Sequence, residues 1–152
     1  MIFTINECPI AQKRHRTRKI GYRTISYDPL SKEKEDMRFL LSRMLISQTG
    51  NKKVDEEALY LRYKDFYHVS FVFTCPISKS DRKTLRNEKL KGFRNHEIKY
   101  DLDNLEKFYL DCMTGVIFSD DKKVVKLQSE KKWGETGSIE IEIHGFNESK
   151  DG

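Results

Sequence analysis

Residues 99–126 read Lys99-Tyr100-Asp101-Leu102-Asp103-Asn104-Leu105-Glu106-Lys107-Phe108-Tyr109-Leu110-Asp111-Cys112-Met113-Thr114-Gly115-Val116-Ile117-Phe118-Ser119-Asp120-Asp121-Lys122-Lys123-Val124-Val125-Lys126. Leu102, Leu105, Phe108, Tyr109 and Cys112 recur on one helical face, which predicts a helix over 102–113. Thr114-Gly115 ends it. Residues 116–118 then read as a short extended piece, and a strand is expected over 123–131. Such a helix fixes its apolar face on a sheet. Two aspartate pairs, Asp101/Asp103 and Asp120/Asp121, bracket it, and Lys107 lies four residues after Asp103.

Outward from this centre, residues 66–75 (Phe-Tyr-His-Val-Ser-Phe-Val-Phe-Thr-Cys) form an apolar run that predicts a central strand closed by Pro76. His68 within it reads as a structural histidine. Residues 1–6 read as an opening strand, and residues 138–144 alternate, with Ile139, Ile141 and Ile143 facing inward. Gly134-Glu135-Thr136-Gly137 before them has the composition of a hairpin turn. Ser31 is a helix N-cap for 31–47, with Met37, Leu40, Leu41, Met44 and Leu45 as the core stripe. Ser80-Asp81 would cap a short basic helix through Leu90. Residues 52–65 are ambiguous. Residues 13–19 are too polar for a core and read as a mobile loop, with 20–26 a short returning strand. The expected class is α/β (α+β): a mixed sheet of four to five strands flanked by helices. It would form a single domain over 1–147, with 148–152 as a polar tail.

With 152 residues, one core is the natural prior. No apolar run approaches the roughly 20 residues of a membrane span, so no membrane partner is expected. The three cysteines, Cys8, Cys75 and Cys112, are far apart and form no Cys-x-x-Cys, which suits a reducing, cytoplasmic setting. The net charge of +5 is unevenly spread. Lys13, Arg14, Arg16, Arg18, Lys19 and Arg23 form a run without an acid, and 79–99 is a second basic stretch. Two basic patches point to a polyanion such as nucleic acid, weighed against an ordinary solvated surface. His15 in the first patch reads as a phosphate or solvent contact rather than a base.

The aspartates suit a hard divalent cation, because Mg²⁺ takes oxygen ligands and keeps several waters. If the chain is extended at 101–103, both carboxylates point to one side. Each feature also has a plainer reading. Asp103 and Lys107 could form an ordinary ion pair of about 0.2–0.5 kcal/mol, and Asp120-Asp121 could be a solvated turn. Taken together, with apolar segments locking their spacing, a Mg²⁺ site is the better reading.

The run from Lys99 to Lys107, continued by Leu110-Asp111, Gly115-Val116 and Asp120-Asp121-Lys122-Lys123-Val124, resembles the RusA family of Holliday-junction resolvases. The opening strand, Pro9 and the Lys13-Arg14-His15-Arg16 segment are similar as well, so the resemblance spans roughly 1–145. The Asp-x-Asp-Asn core with a following lysine and a downstream Asp-Asp carries it. Segments 48–65 and 77–97 are longer than in the compact form of the family.

The resemblance implies a homodimeric, Mg²⁺-dependent endonuclease (Mn²⁺ being an alternative metal) that nicks opposing strands of four-way DNA in recombination and repair. No small-molecule cofactor is implied. It assigns catalysis to Asp101, Asp103, Lys107 and Asp121, and the metal to Asp101, Asp103, Asp120 and Asp121. Lys13, Arg14, Arg16, Arg18 and Lys19 are the expected DNA contacts. Two rival readings are a non-catalytic nucleic-acid-binding module and a structural subunit of a recombination or phage-replication complex. The intact acidic set argues against pure binding, which gains nothing from carboxylates beside a phosphate.

Overall fold

The strand expected at the centre is the centre. The computed structural model describes residues 1–49, 64–92 and 100–148. The elements, in chain order, are β1 (Ile2–Ile5), β2 (Arg16–Ile20), β3 (Arg23–Tyr27), α1 (Ser31–Thr49), β4 (Phe66–Pro76), α2 (Lys83–Leu90), α3 (Leu102–Met113), a 3₁₀ turn (Asp121–Lys123), β5 (Val124–Gly134) and β6 (Ser138–Phe146). The main sheet has four strands in the order β1-β6-β4-β5. β4 runs parallel to β5 and antiparallel to β6, and β1 pairs antiparallel with the far side of β6. The sheet is therefore mixed, as expected. The ambiguous stretch at 52–65 falls almost wholly outside the described residues, and so does the tail after Glu148.

Alternation explains which side of the sheet is covered. Tyr67, Val69, Phe71, Phe73 and Cys75 of β4 are buried, while the residues between them are half-buried. Ile139, Ile141 and Ile143 of β6 and Phe3 and Ile5 of β1 continue the same layer. Met37, Leu41 and Leu45 of α1 and Leu105, Phe108, Tyr109, Cys112 and Met113 of α3 close over it in one cluster. Each large apolar side chain so buried contributes about 1.5–3 kcal/mol. α3 is thereby held along its full length, with its opposite face left to solvent.

Four expectations are corrected. Gly134-Glu135-Thr136-Gly137 does not close a hairpin, because β5 and β6 flank β4 rather than each other. The stretch is a strap across the end of β4: Gly134 lies opposite Pro76, its carbonyl accepts from Ile77 N at 3.0 Å, and Ser138 lies opposite Thr74. Close approach explains one of its glycines, since a Cβ on Gly137 would sit 2.6 Å from Cys8 Cα. Residues 116–118 form a turn, not an extended piece, with the amides of Val116 and Ile117 both bonded to Met113 O. Ser80-Asp81 does not cap α2, whose N-cap is Arg82; Asp81 instead holds Lys89 at 2.6 Å.

The fourth correction concerns the basic segment. Half of the expected loop is strand: β2 and β3 pair in their own antiparallel ribbon, from Arg16↔Tyr27 to Ile20↔Arg23. Gly21, at φ +60°, supplies the left-handed residue that a two-residue turn demands.

Candidate active site

α3 begins at Asp101, which stands just outside the helix as its N-cap. Its carbonyl accepts from Leu105 N at 3.1 Å, and its Oδ2 accepts from Asn104 Nδ2 at 3.3 Å. Asp103 lies in the first turn, where the helix dipole favours a carboxylate. The two aspartates are thus placed by a helix start and not by an extended strand. The neighbouring chain braces this end. Gln12 N donates to Asn104 O at 2.8 Å, Lys131 Nζ donates to Tyr100 O at 2.8 Å, and Ile10 N donates to Tyr109 Oη at 3.1 Å. Burial pushes the Tyr109 hydroxyl well above its ordinary range, so it stays a neutral strut.

Lys107 and Asp111 continue from Asp103 at steps of four, so the three share one helical face. The ion pair made is not the one with Asp103 that the plainer reading allowed: Lys107 Nζ reaches Asp111 Oδ1 at 3.8 Å. Beyond the helix, Thr114 Oγ1 donates back to Leu110 O, and the turn leads to Asp120 and Asp121. Asp120 caps the 3₁₀ turn. Its Oδ1 accepts from Lys122 N at 3.0 Å and its Oδ2 pairs with Lys122 Nζ at 3.1 Å. These bonds, the backbone one first, hold its carboxyl below the usual range. Asp121 is exposed and lines a cavity of about 360 Å³ with Asp28, Lys34, Arg38, Asp111 and Thr114. Asp101 lines a different cavity, of about 560 Å³, with Ile10, Gln12, Tyr100 and Asn104.

The aspartate pairs therefore sit at opposite ends of a 12-residue helix, which spans about 18 Å. Among the described residues no three His, Cys, Asp or Glu side chains come together as a ready-made metal cage.

Sequence reading missed an ion triad around a buried lysine beside Asp121. Lys34 Nζ lies 2.7 Å from Asp28 Oδ2 and 2.8 Å from Asp111 Oδ2. Burial alone would raise the Asp28 carboxyl. The Lys34 hydrogen bond and the Leu30 amide outweigh it and bring the pKa to about 2. Burial alone would likewise lower Lys34, yet its bonds to Asp111 and Asp28 hold it above its ordinary value. A signal was present: Lys34 stands on the apolar stripe running through Leu30, Met37, Leu41 and Leu45, where a lysine needs a buried partner. Arg38, one turn on, donates to Asp111 O at 3.1 Å.

The expected DNA contacts Lys13, Arg14, Arg16, Arg18 and Lys19 are all exposed, and the last three stand on β2. Asp28 ties the base of the ribbon to α1 and α3, accepting from Gln12 Nε2 at 3.3 Å while it holds Lys34.

Residues 8–144 match the family model described as endodeoxyribonuclease RusA. The chain belongs to the RusA family. It is thus a member of a nuclease family, and the match takes in every element from the basic ribbon to most of β6. A comparison with curated proteins returns no match. Among the described residues, no helix of this RusA-family chain is long and apolar enough to cross a membrane.

Proposed function

We propose that the protein is a Mg²⁺-dependent, structure-selective endonuclease that resolves four-way DNA junctions by paired nicks, acting as a homodimer. The observation that carries this reading is the face of α3. Asp103, Lys107 and Asp111 run along the solvent side of a helix whose other side is locked in the core, in a chain matched by an endodeoxyribonuclease family.

The donor set suits the metal in kind. Carboxylate oxygens are the hard ligands Mg²⁺ takes, and it is bound through one or two carboxylates plus substrate phosphates rather than by an all-protein cage. The two pairs would each hold a separate ion: Asp101 and Asp103 at one end of α3, and Asp121, with Asp120 beside it, at the other. When bound, the metal neutralises phosphate charge and makes water a better nucleophile at neutral pH. Lys107 places a cation beside the phosphate, where negative charge builds up during cleavage. Lys13, Arg14, Arg16, Arg18 and Lys19 would draw the DNA backbone toward that face.

The test is nicking of a labelled four-way junction in Mg²⁺, beside a gel shift without metal. Asp101→Asn, Asp103→Asn and Asp121→Asn should each abolish nicking while junction binding persists or tightens, because a charge facing the phosphates is removed. Glu106→Gln is the control and should cut normally. Near-wild-type cutting by Asp103→Asn or Asp121→Asn would overturn the site assignment.

A further inference from the structure

We propose that the β2–β3 ribbon is a two-part junction reader: its arginine-bearing face lies against the DNA backbone, and Tyr22 at its tip stacks on a base exposed at the branch point. This rests on the reading of the protein as a junction-binding nuclease and adds the element that would recognise the branch.

The ribbon stands out from the rest of the surface. Every residue of both strands is exposed. Four of the large apolar side chains left in solvent belong to it: Ile20, Tyr22, Ile25 and Tyr27. Tyr22, in the two-residue turn, has no cover at all. An isolated two-stranded ribbon is at best marginally stable in water, so exposed apolar residues here call for a partner that covers them.

The register says what kind of partner. Directly paired residues share a face, and faces alternate along a strand. Arg16↔Tyr27, Arg18↔Ile25 and Ile20↔Arg23 therefore lie on one face, and Thr17↔Ser26 and Lys19↔Thr24 on the other. The first face interleaves three arginines with Tyr27, Ile25 and Ile20, and 13–27 contains no acid. Guanidinium groups bind phosphate bidentately, and aromatic side chains stack on bases whatever their identity. A two-stranded ribbon also has the width that a major groove of about 12 Å admits. Charge complementarity thus selects DNA over another apolar surface. A branch point is the place in duplex DNA where base-pair faces are open to a side chain at a ribbon's tip.

The experiment compares the full-length chain with variants in metal-free buffer. It measures binding to a four-way junction and to a duplex of equal length, with 2-aminopurine at the branch point. Tyr22→Ala should lower the preference for junction over duplex about tenfold, since a stacked base contributes on the order of 1–3 kcal/mol. It should also erase the 2-aminopurine response, leaving duplex affinity and salt slope unchanged. Tyr22→Phe keeps the ring and should restore both. Arg16→Gln with Arg18→Gln should weaken both DNAs alike and flatten the salt dependence.

Full junction preference and an intact 2-aminopurine response in Tyr22→Ala would overturn the proposal. So would a Tyr22→Ala protein whose sedimentation changes while its DNA binding does not, which would give the face to a second copy of the chain. Wild-type protein that binds neither DNA would instead sink the nuclease reading itself.

Discussion

Lys34 shows how much one buried residue can govern. It stands 7% exposed between two carboxylates on different elements, Asp28 at the ribbon's base and Asp111 on α3. Hydrogen bonds to charged groups contribute about 1.5–3 kcal/mol, and the two carboxylates here keep part of their water, so the loss belongs to that range. Lys34→Met keeps the length of the side chain but leaves Asp28 and Asp111 facing each other. A loss of that size is expected in urea unfolding at pH 7. Asp28 sets the acid limit. Its folded pKa of about 2 lies below the ordinary 3.8, so its contribution is present above pH 3.8 and is lost as the pH falls through about 2. Asp28→Asn should be less stable than wild type at pH 7, and the gap should narrow as urea curves are taken from pH 5 toward pH 2. Lys34 works in the opposite direction: raised above 10.5, it contributes fully below that value and is lost only as pH climbs through its folded pKa. Lys107 is a different case, 62% exposed at its side chain and loosely paired. Lys107→Ala should fold normally yet lose nicking, measured on the same labelled substrate.

At the scale of elements, periodicity carried the prediction and pairing did not. α3 was legible to the residue, because Leu102 through Cys112 repeat on one face and Thr114-Gly115 stops them. β4 and β6 were legible from their apolar alternation. The partner of β5 was not legible, since a glycine-bounded four-residue link suits a hairpin equally well as a strap over a third strand. What decides it lies elsewhere in the chain: β4 offers β6 one edge and β5 the other. The ribbon was half missed for a related reason. A segment such as Arg16-Thr17-Arg18-Lys19 has no apolar alternation to announce a strand, and only the Gly21-Tyr22 turn marks it. The strap carries its own test. Gly137→Ala would drive a methyl group into Cys8, with Cα at 2.6 Å and Sγ at 2.9 Å. The Cys8 backbone would have to give way, so thermal unfolding should show a loss of about 1–3 kcal/mol. Of the candidate site, Asp101, Asp103, Lys107 and Asp121 were legible as residue types, but the spread of the aspartates to opposite ends of α3 was not. The triad was hidden, because nothing local to Lys34 names Asp28 and Asp111 as its partners.

For the whole molecule, the proposed reaction sets the number of copies. A four-way junction has two-fold symmetry, and paired nicks in opposing strands need two active sites related by the same operation. Sedimentation at micromolar concentration should therefore report a dimer, free or junction-bound, and a monomer in both states would refute paired action by one assembly. The sheet also ties the molecule to the order in which it is made. Among the described elements β1 is made first and its partner β6 last, with Ile2 opposite Glu142 and Ile5 opposite Ile139. At about 5–20 residues per second, synthesis of the intervening chain takes roughly 7–30 seconds. Through that interval the edge of β1 has no partner strand, and from its own synthesis onward neither has the β6 edge of β4. A nascent chain stalled before Ser138 would carry Asp101, Asp103 and Asp121 without the complete sheet that positions α3, so under the proposed reaction a half-made chain would be unarmed.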